Sequence, residues 1–448
     1  MTMLFLFHTV LGWLRSSLRQ LLCTACAIGL VGLLAGAAPA YAQLGGPRLN
    51  MPGLSNFPSF PRVPIEPRLP AEPTVDAALN AVLLQQLRLT AVRNLLRQHS
   101  DLIEADPAGA PVRRAELLLV SPPPEVLQAA LALGFVLLRE QSLPELDLHQ
   151  VVLRAPPGLT TARALAVLQE MAPTLDVDFN HIYTASGGAD SGGVAAGAAE
   201  RPTTPNPVRV GLIDGGLDAQ HPAFKRTEVH LWGCQGAPVP SVHGTAVASL
   251  LVGQAGASPA PGAVLYAADI YCGQPAGGAA EDVAVALAWM ARERVAVVNV
   301  SLVGPANRVL ERSVQALIRK GYVVVAAVGN DGPAAPPLYP ASYAGVVGVT
   351  GVTRAQRVLP EAAQGPQVMF AAPGAQLSAA QMGGGYGNVR GTSFAAPRVA
   401  ALLAQQMQQP DVATAQAAIA RLVATALDLG APGRDPVYGW GLVGADKP

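Results

Sequence analysis

From Val208 to the C terminus, continuous apolar runs with strand character alternate with segments of helical character. In chain order, the strand-like runs are VRVGLID, VLYAADIY, VAVVNVS, YVVVAAVGN and VVGVTGV. Strands that are apolar at every position are typical of a parallel sheet covered by helices on both faces. We therefore predict an α/β domain over 208–448, with a doubly wound, mostly parallel sheet. Ligand sites in such a sheet lie at the carboxyl ends of the strands.

A second, smaller unit precedes this domain. Residues 113–183 follow the order β-α-β-β-α-β, which predicts a small ferredoxin-like α+β unit. Apolar residues spaced three to four apart predict a helical segment over 74–112. Residues 43–73 read as an extended Pro-rich linker, and the Gly/Ala/Ser/Pro-rich residues 184–207 read as a flexible linker between the two units.

The N terminus has the layout of a secretory signal. Arg15 and Arg19 precede an apolar run from Leu21 to Ala38, and Ala40-Tyr41-Ala42 follows. This pattern predicts a signal peptide over 1–42, cut after Ala42, and hence an exported protein that is secreted, periplasmic or bound to the cell surface. The alternative is an uncleaved membrane anchor, because the run approaches the roughly 20 residues of a spanning helix. Membrane association is expected only through this segment.

The cysteines and the charges narrow the class of protein further. Cys234 and Cys272 are the only cysteines after the signal, and an isolated pair in an exported chain favours a disulfide over two separate buried thiols. The chain of 448 residues is 50% hydrophobic and 13% charged, with 30 basic and 30 acidic residues. Such a composition excludes global disorder, and a net charge of zero argues against nucleic acid as the main partner.

Three polar residues occupy positions where parallel sheets commonly have ligand-binding or catalytic sites. Asp214 ends the first strand-like run, His243 opens a helix in VHGTAVASLL, and Ser393 opens a helix in GTSFAAP. Each alone has an ordinary structural explanation, such as a helix cap. Together, in the order Asp, His, Ser, they match one of the known catalytic triad orders. Ser393 would then be the nucleophile, His243 the general base and acid, and Asp214 the residue that fixes the imidazole tautomer.

A fourth residue, Asn330, follows the strand-like run VVVAAVG and precedes Asp331-Gly332. A turn would explain it, because Gly-Asn-Asp-Gly forms turns readily. The alternative is a side-chain donor to an oxyanion, which would act together with the helix N terminus at Ser393.

These segments resemble the subtilisin-like serine proteases, the subtilases. The matching segments are GLIDGGLDAQHP, HGTAVASLL, NVSLVGP, AAVGNDGP, YPASY and GTSFAAPRVA, in the family's order. The resemblance implies the subtilisin-like fold, serine endopeptidase activity on polypeptide substrates, and the roles given above for the four residues. The unit at 113–183 looks like the family's propeptide, which implies a self-inhibited precursor, a zymogen, with its own propeptide as intramolecular inhibitor.

The resemblance also implies where a substrate lies. Its backbone would pair with Ser301, Leu302 and Val303, and Gly304 and Gly329 would flank the pocket for the residue before the cut. Val303 stands where glycine is common in the family, so its side chain is expected to narrow the cleft.

Other enzyme classes fit less well. An α/β-hydrolase needs a histidine after its serine, and the last histidine here is His243. A metalloprotease needs ligand-spaced histidines such as HExxH, which the sequence lacks, so no metal ligand is predicted and no cofactor is required for the chemistry. Structural calcium stays open. A non-catalytic or membrane-anchored binding protein on the same fold is the alternative function.

Overall fold

The computed structural model describes residues 75–185, 188–193, 208–253 and 258–444. The predicted signal peptide and Pro-rich linker lie outside the described residues. None of the helices that are described has both the length and the apolar character needed to cross a membrane.

A seven-stranded sheet forms the centre of the larger domain, and every neighbouring pair in it is parallel. The strands are β7 (Arg209–Asp214), β8 (Val229–Trp232), β9 (Val264–Asp269), β11 (Val297–Val300), β13 (Val323–Ala327), β14 (Val347–Val352) and β15 (Val368–Pro373). Their order across the sheet is β15-β14-β13-β11-β7-β9-β8. The prediction of a doubly wound parallel sheet is confirmed.

Helices cover both faces of this sheet. They are α4 (Val242–Val252), α5 (Ala280–Arg292), α6 (Arg308–Arg319), α7 (Thr392–Ala404) and α8 (Val412–Thr425). Successive strand residues alternate between two hydrophobic cores: Leu212 packs in the core that contains α4 and α7, and Ile213 packs in the core that contains α5 and α6. Burial on both faces explains why the inner strands are almost entirely apolar, whereas the edge strand β8 is only partly buried.

The smaller unit is an antiparallel sheet with two helices on it. Its elements are β2 (Pro111–Val120), α2 (Pro124–Ala132), β3 (Val136–Leu143), β4 (Leu148–Arg154), α3 (Thr161–Met171) and β5 (Val177–Ala185). The strands lie in the order β5-β2-β4-β3, and the unit has a hydrophobic core of its own. The elements follow the order read from the sequence, and the first strand begins two residues earlier, at Pro111 rather than at 113.

The segment at 74–112 is helical over only part of its length. Helix α1 spans Val75–Gln98, and strand β1 (Ile103–Ala105) then pairs with β2. The Asp106 carboxylate accepts hydrogen bonds from the backbone N–H of Ala108 and Ala110 at 2.9 and 2.7 Å. The Asp106 side chain supplies the acceptor for these backbone N–H groups, so the chain turns back and β1 pairs with β2.

Part of the segment expected to be a flexible linker, 184–207, is strand instead. Strand β5 continues through Ala185, and β6 (Gly188–Gly193) pairs with β17 (Tyr386–Arg390), whose other neighbour is β16 (Ala375–Ala380). This stretch is rich in glycine and alanine and shows no strand period of its own. Its extended conformation therefore comes from pairing with strands of the larger domain.

Candidate active site

Adjacent elements bring Asp214 and His243 together. Asp214 is the last residue of β7, and its carboxylate is completely buried. His243 is the second residue of α4, which Ser241 caps by accepting a hydrogen bond from Gly244 N–H at 2.9 Å. The Nδ1 atom of His243 lies 2.9 Å from both carboxylate oxygens of Asp214. A proton on Nδ1 therefore leaves Nε2 as the basic nitrogen of the neutral ring.

Ser393 lies at the start of α7, whose next residue, Phe394, contacts the His243 ring. The helix begins after Gly391, whose φ of 141° suits glycine, and Ser393 is fully buried. The Phe394 ring next to it lies 5.4 Å from the His243 ring, measured between centroids. The Ser393 hydroxyl donates to the Ser301 carbonyl at 3.2 Å, and His243 Nε2 has no hydrogen-bond partner among the described residues. The Ser393 hydroxyl therefore bonds to Ser301 and not to Nε2.

The amide of Asn330 faces the same helix terminus. Its Oδ1 accepts a hydrogen bond from Thr392 N–H at 3.0 Å, and Thr392 Oγ1 accepts one from Gly329 N–H at 3.2 Å. These bonds join the Asn330 loop to the first turn of α7. Because Oδ1 faces Thr392, the Nδ2 group forms the donor end of the side chain.

The chain's own strands flank this site on both sides. Strand β12 (Leu302–Val303) pairs antiparallel with β5, with Leu302 opposite Ala185 and Val303 opposite Thr184. Strand β10 (Gly278–Ala279) pairs with the other edge of β5. Beyond the site, Gly188 of β6 pairs with Arg390, three residues before Ser393. The described residues before the site thus pair with β12, and those after it pair with β17.

Comparison with known proteins identifies the class. The sequence profile of the Subtilase family matches residues 206–441 of this chain. The chain belongs to the subtilase family. Subtilases are serine peptidases that cleave polypeptides without a cofactor, and the matched range includes all four residues predicted from the sequence, Asp214, His243, Asn330 and Ser393.

Individual relatives match parts of this subtilase. The chain is 30% identical over 185 residues to the minor extracellular protease Epr of Bacillus subtilis, which covers 41% of this chain and 28% of Epr. It is also 30% identical over 254 residues to a subtilisin of Bacillus pumilus, covering 53% of this chain and 88% of that protein. The crystal structure of fervidolysin from Fervidobacterium pennivorans, a keratinolytic enzyme related to subtilisin, matches in fold alone, at 18% identity and a TM-score of 0.60 over 74% of this chain and 60% of that one.

The predicted substrate-binding residues divide into two groups. Leu302 and Val303 form the strand that pairs with β5. Ser301 contacts Ser393 directly, because its hydroxyl donates to the Ser393 carbonyl at 3.0 Å and accepts from Asn299 Nδ2 at 2.8 Å. A side chain at Gly329 would collide with Leu338, since a Cβ there would lie 2.3 Å from Leu338 Cδ1 and 3.6 Å from Val303 Cγ1. Val303 and Leu338 thus reduce the space beside Gly329, in the pocket predicted for the residue before the cut.

Tyr183 of β5 lies in a closed pocket of the larger domain, the Tyr183 seat, which is lined by Gly304 and Pro305. The side chain is fully buried, and its hydroxyl donates to the Pro305 carbonyl at 2.7 Å. Gly304 lies against the ring, where an added Cβ would be 2.6 Å from a ring carbon. Burial raises the pKa of Tyr183 well above its ordinary value, which keeps the hydroxyl neutral and able to donate.

Asp269, which was not among the predicted site residues, lies beside Asp214 as its partner in the parallel register. Its buried carboxylate accepts backbone hydrogen bonds from Val239, Tyr271 and Cys272. An acidic residue at the end of an apolar strand next to β7 was the available signal. Cys234 and Cys272 form the expected disulfide. They and Asp269 are the one grouping of possible metal ligands among the described residues, and the bond between the sulfurs removes both thiolates.

Proposed function

We propose that this subtilase is an exported serine endopeptidase made as a self-inhibited precursor. The observation that carries the catalytic assignment is the bond of His243 Nδ1 to the buried Asp214 carboxylate, beside the helix that begins at Ser393. In this assignment Ser393 Oγ attacks the carbonyl carbon of the scissile peptide. His243 Nε2 takes the hydroxyl proton and then gives it to the leaving amine.

Two donors would stabilise the oxyanion that forms in this attack. One is the backbone N–H at the start of α7, and the other is Asn330 Nδ2, whose direction is fixed by the bond from Thr392 N–H to Oδ1. Donors held in place before the reaction stabilise charge without reorganising, which is why they lower the barrier. Asp214 stabilises the imidazolium and remains ionised itself.

The proposed inhibitor is the smaller unit, whose strand β5 lies where a substrate would pair. Its charged residues also meet the N termini of two helices of the larger domain. Asp178 accepts a hydrogen bond from the backbone N–H of Arg308 at the start of α6 at 2.9 Å. Near the start of α5, Arg113 contacts Asp282 at 3.2 Å and Arg139 contacts Glu281 at 2.9 Å. These contacts would hold β5 in the cleft until the chain is cut.

Helix α1 adds contacts on the open side of the cleft. Arg88 Nε lies 2.7 Å from Asp331, the residue after Asn330, and a Cβ at Gly332 would lie 3.2 Å from Leu84. Leu95 and Leu96 pack against the cluster that contains Ile182 of β5. We therefore assign α1 to the inhibitory segment as well.

The preferred substrate follows from the occupied cleft. The seat of Tyr183 favours an aromatic residue two positions before the residue that pairs with Leu302. Val303 and Leu338 favour a small residue at the bond to be cut. Because β5 ends at Ala185 and β6 begins at Gly188, we place the processing cut between these two residues.

Ser393→Ala tests the proposal in the full chain. The wild type is expected to yield fragments that end between Ala185 and Gly188, to hydrolyse casein, and to bind a fluorophosphonate at one equivalent by intact mass. Ser393→Ala is expected to stay uncut, with an N terminus at Gln43 after export. A cut and active Ser393→Ala enzyme would refute the nucleophile. A folded wild type that neither cuts nor labels would favour a non-catalytic binding protein on this fold.

A further inference from the structure

Two buried carboxylates end neighbouring strands at the active site. Asp214 ends β7 and Asp269 ends β9, and the two residues are direct partners in the parallel register. Asp269 is 2% exposed. The backbone N–H of Ile270 donates to the Asp214 carbonyl at 3.0 Å, which fixes the two strand ends to each other. The triad assignment uses Asp214 and leaves Asp269 without a role.

The Asp269 carboxylate accepts backbone hydrogen bonds from one near segment and one distant segment, and its Oδ2 also lies 3.1 Å from the disulfide sulfur of Cys234. Its Oδ1 accepts from the backbone N–H of Tyr271 at 2.9 Å and of Cys272 at 3.0 Å, which makes a local turn. Its Oδ2 accepts from Val239 N–H at 2.8 Å, across 30 positions of sequence. A hydrogen bond from a backbone N–H to a carboxylate is stronger than one between neutral groups. The bond from Val239 N–H therefore holds residue 239 firmly at Asp269.

Val239 lies two residues before Ser241, and Ser241 connects this segment to Gly216 and to α4, the helix that carries His243. Ser241 N–H and Ser241 Oγ–H both donate to the Gly216 carbonyl, at 2.8 and 2.9 Å, and Gly216 lies two residues after Asp214. Ser241 Oγ also caps α4 by accepting from Gly244 N–H at 2.9 Å. The backbone packs closely here, because a Cβ on Gly216 would lie 2.3 Å from the Val239 carbonyl oxygen.

We propose that Asp269 is a positioning residue for His243, acting by fixing residues 239–241 against the turn after Asp214. With Val239 held by Asp269 and Ser241 held by Gly216, the first turn of α4 starts at a defined place. The Nδ1 atom of His243 then meets the Asp214 carboxylate. The inference rests on the catalytic assignment of Asp214, His243 and Ser393 proposed above.

A second aspartate provides a matched control. Asp435 is also buried, accepts from the backbone N–H of Val437 and Tyr438 with one oxygen, and accepts from Ala431 N–H with the other. The same pattern of near and more distant backbone bonds therefore occurs outside the triad strands. Substitution of either aspartate removes equivalent bonds, and only Asp269 is attached to the segment that leads into His243.

The test compares Asp269→Asn with Asp435→Asn in the self-processed enzyme. Asp269→Asn keeps a single acceptor oxygen: with that oxygen on the Tyr271 and Cys272 N–H groups, the amide Nδ2 faces the Val239 N–H and the distant bond is lost. Misplacing a catalytic group by about 1 Å can cost on the order of 100-fold in rate. We expect kcat to fall about 10- to 100-fold in Asp269→Asn with KM changed less than about twofold, and kcat to stay near wild type in Asp435→Asn. Equal kcat values in the two variants, or a loss confined to KM, would overturn the proposal.

Asp269→Ser separates the local turn from the distant attachment. A serine hydroxyl can accept from the residues just after it, and it is too short to reach Val239. We expect this variant to process, to melt near Asp435→Asn, and to share the kcat loss of Asp269→Asn. Wild-type kcat in Asp269→Ser would refute the positioning role even if Asp269→Asn failed to fold. Loss of the catalytic assignment itself would appear separately, as a wild-type enzyme without fluorophosphonate labelling.

Discussion

His243 Nδ1 is held by both carboxylate oxygens of Asp214 at 2.9 Å, and that carboxylate is inaccessible to solvent. Two equal distances leave the imidazole little freedom to rotate about its bond to the chain. The same contact selects the tautomer with the proton on Nδ1, which is the form that can act as a base through Nε2.

Asp214→Asn is expected to lower kcat about 10⁴-fold, because the amide favours the wrong imidazole tautomer while preserving shape. Steady-state hydrolysis of a fluorogenic peptide would measure kcat, with Asp435→Asn as the control for a buried aspartate elsewhere. A loss below about tenfold would contradict the assigned role of Asp214.

Asn330→Ala is expected to reduce kcat by about 10²- to 10³-fold and to leave KM nearly unchanged, because the oxyanion exists only in the reaction and not in the bound substrate. Asn388→Ala, on strand β17, is a control of the same residue type. If Asn330→Ala raised KM and preserved kcat, the side chain would bind substrate rather than the oxyanion.

Gly304→Ala is expected to slow self-processing and to reduce kcat/KM for peptides with tyrosine in the Tyr183 seat, by about tenfold or more. An added Cβ there would lie 2.6 Å from the tyrosine ring, and overpacking costs about 1–3 kcal/mol. Adding Tyr183→Ala should restore processing of the Gly304→Ala precursor. Failure of the second change to restore it would mean that the seat does not contact the bound chain as inferred.

Cys234→Ser combined with Cys272→Ser is expected to lower the free energy of unfolding by up to about 4 kcal/mol. The estimate follows from chain entropy for a cross-link between residues 38 apart. Urea unfolding of the Ser393→Ala precursor, which cannot digest itself, would measure the change. The unmodified precursor treated with reductant should match the double variant, and a stable protein in both cases would argue against a structural cross-link.

The pH dependence of stability is expected to contain a contribution from Glu281. Burial between the two units raises the pKa of Glu281 to about 7, with Asp282 adding to the shift and Arg139 opposing it, against an ordinary value of 4.5. The folded chain therefore holds a proton on Glu281 between these pH values and the unfolded chain does not. Folding stability from this group is full below about pH 4.5 and declines as the pH rises to about 7.

Glu281→Gln isolates that contribution in the Ser393→Ala precursor. The parent should lose stability relative to Glu281→Gln as the pH rises from about 5 to about 7, and the difference should level off above that range. Substitution of the exposed Glu125 by glutamine serves as the control. Parallel curves for the parent and Glu281→Gln would show that the group does not titrate in this interval.

Much of the larger domain could be predicted because its information is local. Five of the seven strands of the central sheet carry the apolar runs that predicted them, whereas β8 and β15 were not predicted. Helix α6 carries an N-cap, Asn307, whose side chain accepts from Leu310 N–H. Helix α8 has an equally local signal, since Asp411 caps it and accepts from Thr414 N–H at 2.7 Å. No helix was predicted there, although the cap lies in the local sequence and indicates one.

The remaining features depend on partners that are distant in sequence. Residues 188–193 are strand because β17 pairs with them, and nothing in GADSGG favours an extended chain. Likewise, Asp269 reads as an ordinary strand-ending acid until Val239 comes within 2.8 Å of it. The hydroxyl direction of Ser393, toward Ser301, is a rotamer choice that no residue pattern specifies.

Strands β5 and β6 belong to one chain and lie on either side of the site, which has a consequence for how the proposed inhibition would end. While the chain is intact, the strand beside Leu302 is tethered, and a short tether keeps a ligand at an effective concentration of about millimolar. Once the bond is cut, the same contacts belong to two molecules, and occupancy of the cleft follows the bulk concentration. Dilution alone would then release the protease, so that latency depends on the volume into which the cut precursor disperses.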